Sequence, residues 1–219
     1  MPRTSIATDN FNRAAGTLGA NWSDINAANA DVIYIDATPG TAYATIAGQF
    51  AVSRWNGAGT FSNDQYSSVK LVAIDNYGTS YGVGVVARCS ADQEGTRDYY
   101  YVMVQMNNSS GGTFTTVLGK VVNGTNTNLH SAAVTWSNND LVSIECEGTT
   151  IRACKNGTAI GGSFTATDSS LASGKPGLAI MGGAADLFAA DDWEGGDITA
   201  ASSSSVPVKL FHLRQQGIS

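Results

Sequence analysis

The chain has 219 residues, a formal net charge of -6, and 42% hydrophobic against 14% charged residues. Its 12 Lys and Arg are scattered and offer no basic footprint for nucleic acid, and no run approaches the roughly 18 apolar residues that cross a bilayer. Twenty-five glycines against four prolines, with so few charges, argue for many tight turns and against long solvent-facing helices.

Two-residue alternation between turn signals predicts strands, in chain order, at 5–11, 31–36, 41–53, 66–75, 81–89, 98–107, 115–122, 130–136, 140–147, 150–155, 176–181 and 186–194. No segment keeps a 3.6-residue apolar period long enough for a helix. The intervening turns carry their own chemistry in "TPGT", "WNGAG", "DNYG", "NNSSGG", "SNND", "EGTT" and "KNGT". About a dozen short strands at this spacing predict an all-β fold, a two-sheet antiparallel sandwich.

The segment "EGTRDYYYVMVQMN" is unusual in being apolar on both sides. In an extended chain Tyr99, Tyr101, Met103 and Gln105 share one side, while Tyr100, Val102, Val104 and Met106 share the other. Such a strand is expected at the centre of a sheet, with one face in a core and the other in a lined groove. In "LVSIECEGTTIRACKNG", a turn at Gly148-Thr149 puts Cys146 with Val142 and Ile144 and sends Cys154 to the opposite side with Arg152. Those two thiols then cannot bond; Cys89 remains a possible partner for either, but an odd count of three cysteines fits free, mostly buried thiols and a reducing compartment.

The stretch "TAASSSS" at 199–205 reads as a Ser-rich linker, so the folded domain is expected to cover 1–198. The tail at 206–219 carries Val206, Val208, Leu210, Phe211, Leu213 and Ile218. It is apolar enough to dock, either on its own domain or on another chain. The start "MPRTSIATDNFNRAAG" lacks the apolar core of a secretory signal, which points to synthesis and folding in the cytoplasm unless a presequence has been removed.

"TDNFNRAAGTLGANWS" at 8–23 and "TDSSLASGKPGLAIMGGAADLFAADDWEGGDI" at 167–198 resemble the beginning and end of concanavalin A-like lectin/glucanase (LamG-like) jelly-roll domains, of the variety found in phage virion and bacterial surface proteins. "GVGVVARCSADQEGTRDYYYVMV" and "LVSIECEGTTIRACKNGT" fall between them in that pattern's order. The resemblance implies two antiparallel sheets, one of them concave, with the first and last strands adjacent and sugars bound across the concave face or at the rim loops. Alternation sends Val69, Leu71, Val83, Val85 and Ala87 inward, so the expected groove face carries Lys70, Arg88, Tyr99, Tyr101 and Gln105. Rings that stack on sugars beside donors that read hydroxyls are what glycan binding needs. Trp55, just before a glycine-rich loop, is expected at the groove rim. The competing reading is that these residues simply cover the outer face of a broad sheet.

The resemblance also implies a structural calcium on the convex side, for which Asp9, Asp191 and Asp192 are the candidate ligands; alternation lets only one of the last two face a given site. The Glu-x-Asp-x-x-Glu strand of the glucanases is absent. Its nearest substitute, Glu145 and Glu147, is expected to be solvated at a strand end. "GVGVVA" at 82–87 mimics a dinucleotide fingerprint but no helix follows it, and His130 and His212 have no metal-binding spacing. The expectation is a non-catalytic structural and recognition module on a virion surface (decoration, head-fibre or tail adhesin protein), docked to capsid or tail subunits through Val208, Leu210, Phe211 and Leu213 and binding cell-surface glycan, without nucleic acid or membrane insertion. The alternatives are a stand-alone carbohydrate-binding module and a polysaccharide-degrading glycosidase or lyase.

Overall fold

The computed structural model describes residues 2–25, 32–45, 50–74, 79–92, 96–107, 113–182 and 188–199. Among these residues the elements are β1 (Arg3–Asp9), β2 (Gly16–Thr17), β3 (Trp22–Asp24), β4 (Ile33–Asp36), β5 (Thr41–Ala44), β6 (Phe50–Trp55), β7 (Gln65–Val72), β8 (Thr79–Cys89), β9 (Tyr99–Asn107), β10 (Thr113–Val122), β11 (Thr125–Thr135), β12 (Leu141–Glu147), β13 (Thr150–Lys155), β14 (Thr158–Ala159), a 3-10 turn at Gly162–Phe164, β15 (Thr165–Thr167), β16 (Lys175–Met181) and β17 (Ala189–Ile198). They form two antiparallel sheets, the jelly-roll sandwich expected. One runs β14-β13-β12-β7-β17-β5-β4-β2, with β1 on β17 and β15 on β13; the other runs β11-β10-β9-β8-β16-β6-β3.

The first strand lies beside the last, from Arg3 opposite Ile198 to Asp9 opposite Trp193. The single strand expected over 41–53 is two strands, because the chain leaves the ten-stranded sheet after β5 and enters the seven-stranded sheet at β6. The last strand runs on to Ile198, beyond the expected end at 194. Four pieces of two or three residues, β2, β3, β14 and β15, are too short for alternation to reveal. The linker beyond Thr199 and the whole tail, with Val208, Leu210, Phe211 and Leu213, lie outside the described residues.

Inward side chains obey the two-residue period. Val69 and Leu71 of β7 and Val142, Ile144 and Cys146 of β12 meet Val83, Val85 and Ala87 of β8 and Tyr100, Val102 and Val104 of β9, all fully buried. At one side of this core Trp22, Trp55 and Trp193 cluster, with ring centroids 4.7 to 5.4 Å apart. Each indole N–H finds an acceptor: Asp9 for Trp22, the Ala58 carbonyl for Trp55 and the Ser67 hydroxyl for Trp193. Ser67 passes its own hydrogen to the Gly177 carbonyl at 2.8 Å, a bridge from β7 to β16 across the sandwich.

Another part of the core is closed by polar groups. The Tyr100 hydroxyl donates to Asp168 Oδ1 at 2.6 Å and accepts from the Leu171 amide, and Lys120 reaches Asp168 Oδ2 at 2.5 Å. Burial disfavours the Asp168 charge, but Lys120, Tyr100 and Ser170 outweigh it and hold this carboxyl well below the usual carboxylate range. A depressed folded-state pKa stabilises the fold above the unfolded value of about 3.9, and that contribution is lost as the pH falls through the folded value. Asp168→Asn is therefore expected to cost about 1–3 kcal/mol at pH 7, with a gap from the wild type that narrows below about pH 4. Urea titrations of both proteins across that range measure it; a constant gap would remove the ion pair from the argument.

The three cysteines are free and buried, and Cys146 faces the core while Cys154 lies on the other side of its sheet. Burial pushes the thiols of Cys89 and Cys146 up to about 12 and that of Cys154 up to about 11. The native protein is expected to ignore a thiol-reactive disulfide reagent at pH 8 and to titrate fully once denatured. Rapid labelling of any one of the three before unfolding would contradict the burial.

Candidate binding face

The seven-stranded sheet has a second apolar face, turned away from the core. Tyr99, Tyr101 and Met103 of β9, Val86 and Cys89 of β8, Val117 and Val121 of β10, Val52 of β6 and Ala179 of β16 form one cluster there, with Phe50 at its margin. Tyr99 and Tyr101 share this face as their spacing requires, their rings edge to face at 6.1 Å, and Gln105 continues the row half-buried. The Tyr101 hydroxyl lies 2.9 Å from Asn126 Oδ1 and 3.0 Å from Asn128 Oδ1, both on the edge strand β11. To reach them the ring crosses β10 above Gly119, where a Cβ would stand 2.5 Å from the ring atoms. Only glycine leaves that path open. The ring's burial raises the pKa of its hydroxyl, which remains protonated and neutral.

The other residues expected on this face lie elsewhere. Lys70 does point away from the core, but β7 belongs to the ten-stranded sheet, so "outward" on β7 and on β9 means opposite surfaces of the molecule. There Lys70 pairs with Asp191 at 2.8 Å and with Asp192. Burial disfavours its charge, but the two carboxylates more than offset this and raise its pKa. Arg88 departs for a different reason. It stands at positive φ (50°), beside a register shift between β8 and β16, and the alternation breaks there. Its guanidinium caps loop carbonyls, Nη1 to Leu171 O and Nε to Asn63 O, both at 2.9 Å, and is almost fully buried. Trp55 belongs to the tryptophan cluster of the core and lines no rim of this face.

The carboxylates are likewise committed. Glu145 is buried, contrary to the expectation of a solvated strand end, because Arg3 of β1 reaches across β17 and β7 to it at 2.9 Å and Arg152 holds its second oxygen at 3.3 Å. Glu147 pairs with Arg152 at 2.7 Å. Asp9 binds Arg13 through both oxygens and accepts from the Phe11 amide and the Trp22 indole. A bulge between Asp191 and Glu194, with Asp192 at φ 47°, defeats the alternation and lets both aspartates reach Lys70. These donor sets do not fit calcium: their oxygens already face cations and N–H groups, and no group of three or more His, Cys, Asp or Glu arranged for a metal occurs among the described residues. Asp9, Asp192 and Glu194 border a cleft of about 420 Å³ with Thr8, Asn10 and Trp193.

Alternation alone could not reveal three participants. Asn126 and Asn128 look like turn residues in "NGTNTN", and Arg54, on the outward side of β6 with Phe50 and Val52, looks like a surface charge. Arg54 Nε is buried and has no hydrogen-bond partner.

No family model matches the chain, and no curated protein matches it either. Solved structures do. The carbohydrate binding module CBM66 from Bacillus subtilis superposes with a TM-score of 0.54 at 14% identity, over 84% of this chain and 97% of that one. A legume lectin-like domain from Entamoeba histolytica gives 0.52 at 10% identity, over 82% and 91%. The catalytic domain of an endo-1,3-beta-glucanase (laminarinase) from Thermotoga petrophila gives 0.54 at 8% identity, over 91% and 99%. At such identities the likeness concerns the fold, and the chain has the jelly-roll fold of concanavalin A-like lectin and glucanase domains.

Proposed function

We propose that the chain is a non-catalytic recognition module that takes a glycan on the outer face of the seven-stranded sheet, and that it serves on the surface of a larger assembly such as a phage virion. The observation that carries this reading is the row of Tyr99, Tyr101 and Gln105 on one face, with the Asn126 and Asn128 amides at its edge. Stacking rings beside side-chain amides are the chemistry of sugar recognition. Carbohydrate-binding and lectin-like domains among the structural neighbours agree with it. Against hydrolysis stands the locking of Glu145 and Glu147 by Arg3 and Arg152, which leaves neither carboxyl of that pair poised as an acid.

A glycan array probed with the wild type and with Tyr101→Phe and Gln105→Ala variants tests the reading. Binding is expected in the wild type and is expected to weaken about tenfold for each variant, the effect of losing about 1.4 kcal/mol. Full retention by both variants would move the ligand to another surface. Polysaccharide cleavage that Glu145→Gln abolishes would replace the module by an enzyme.

A further inference from the structure

We propose that a cavity at one end of the sandwich is a second binding site, for a neutral polyol ring such as one sugar unit. Four chain segments from both sheets meet there: the approach to β7 at Asp64, the end of β8 at Arg88, the β12–β13 turn at Gly148 and Thr149, and the loop through Leu171 that precedes β16. They enclose about 370 Å³, a volume typical of small-molecule sites. None of the lining residues belongs to the cluster around Tyr99 and Tyr101, so this site is distinct from the outer face of the seven-stranded sheet.

Hydrogen bonds tie each segment to another. Arg88 Nε and Nη1 donate to the Asn63 and Leu171 carbonyls, each at 2.9 Å, and the Arg88 amide donates to Gln65 Oε1 at 3.0 Å. Gln65 Nε2 in turn donates to the Ser62 carbonyl at 2.9 Å and to the Gly174 carbonyl at 3.0 Å. The β12–β13 turn is held from two sides: Gly148 N donates to Asp64 Oδ1 at 2.7 Å, and Asp168 N donates to the Thr149 carbonyl at 2.8 Å. Walls fixed in this way are ordered before any ligand arrives, so binding there costs little further ordering.

This bracing leaves one donor over. Arg88 is 3% exposed, yet its Nη2 makes no hydrogen bond among the described residues. Asp64 Oδ1 stands 3.7 Å from it, beyond hydrogen-bond reach. Buried polar groups find partners as a rule, so a charged donor left over on a cavity wall calls for an acceptor inside the cavity. Asp64 Oδ2 is likewise unbonded, and that side chain is 47% exposed. A donor and an acceptor therefore stand side by side. Charge selects what fits them: an anion meets Asp64, a cation meets Arg88, and neighbouring hydroxyls satisfy both because each can accept and donate. Leu171 and Ala172 add hydrocarbon to the lining, and Thr149 and Ser169 add hydroxyls. A sugar ring presents the same combination, adjacent hydroxyls on an apolar C–H face. The site goes beyond the proposed function, since it uses none of the side chains of the tyrosine face.

The test is a nuclear magnetic resonance titration of the nitrogen-15-labelled full-length chain with the methyl glycosides of glucose, galactose, mannose and N-acetylglucosamine. Myo-inositol serves as a polyol that is not a sugar, and acetate and methylammonium as charged controls. At least one polyol is expected to shift the amides of Gly148, Thr149 and Ala172 and the Arg88 Nε–H saturably. A response to glycosides alone identifies a sugar unit, and one shared with inositol a ring recognised by its hydroxyls; either supports the site. Ala172→Trp, at an exposed position of the lining, fills the cavity and is expected to abolish the shifts. Asp64→Asn keeps an acceptor for Gly148 N, removes the free carboxylate oxygen, and is expected to weaken binding about tenfold. No saturable shift with any polyol, larger shifts with acetate or methylammonium, or shifts that survive Ala172→Trp would overturn the proposal. Should Ala172→Trp fail to fold, unchanged affinity in Asp64→Asn overturns it instead. Tyr101→Phe is expected to leave these shifts as they are, so failure of the tyrosine face and failure of this cavity are read separately.

Discussion

Strand β9 imposes the constraint on which the rest of the molecule depends: it is apolar on both sides. Its Tyr100, Val102 and Val104 go to the core between the sheets, and that leaves Tyr99, Tyr101 and Met103 facing away from it. A valine, methionine or tyrosine withdrawn from water contributes about 1.5–3 kcal/mol, so exposing this second row would forfeit a large share of a domain's net stability. The strand therefore needs a layer on each side. The opposite sheet provides one; on the other side Ile25 and Phe50 pack with Tyr99, Tyr101 and Met103.

The two outward surfaces of the sandwich meet this demand in opposite ways. On the ten-stranded sheet, Arg3, Glu145, Arg152 and Glu147 form a continuous chain of ion pairs, while Lys70 gathers Asp191 and Asp192. Arg3 also stacks over Tyr66, whose hydroxyl is bonded to Glu194. Charges that are fully engaged with one another make a rigid cover but a poor acid, base or metal site. On the seven-stranded sheet the outward side chains are mostly hydrocarbon and phenol, with Arg54 and side-chain amides at the margins, a surface suited to stacking. Division of labour between the surfaces follows from which alternate residues are charged.

The sequence made the fold legible because strands buried on both sides still alternate. The partition of β9 into Tyr99/Tyr101/Met103 and Tyr100/Val102/Val104 and the opposed thiols of Cys146 and Cys154 follow from counting by twos. Counting by twos cannot say which sheet a strand joins, and that is why Lys70 ended on the far surface. It also fails at bulges. Arg88 and Asp192 both stand at positive φ where the register slips, and both point where alternation forbids. The burial of Glu145 depended on Arg3, 142 residues away, a partner that only the pairing of the first strand with the last could bring.

The margins of the two sheets are unequal. Among the described residues, β2, β3 and β14 at the ends of the two strand orders have only two or three residues, which leaves little ladder on which a stray chain could grow, and β1, paired only with β17, has seven. The remaining end strand, β11, is eleven residues long, and its sequence TNTNLHSAAVT is mostly exposed. Threonine and asparagine along such a margin keep it wet and give it hydrogen-bonding side chains of its own. That matters because one long unguarded margin per copy is enough to turn neighbouring chains into a continuous β-fibre.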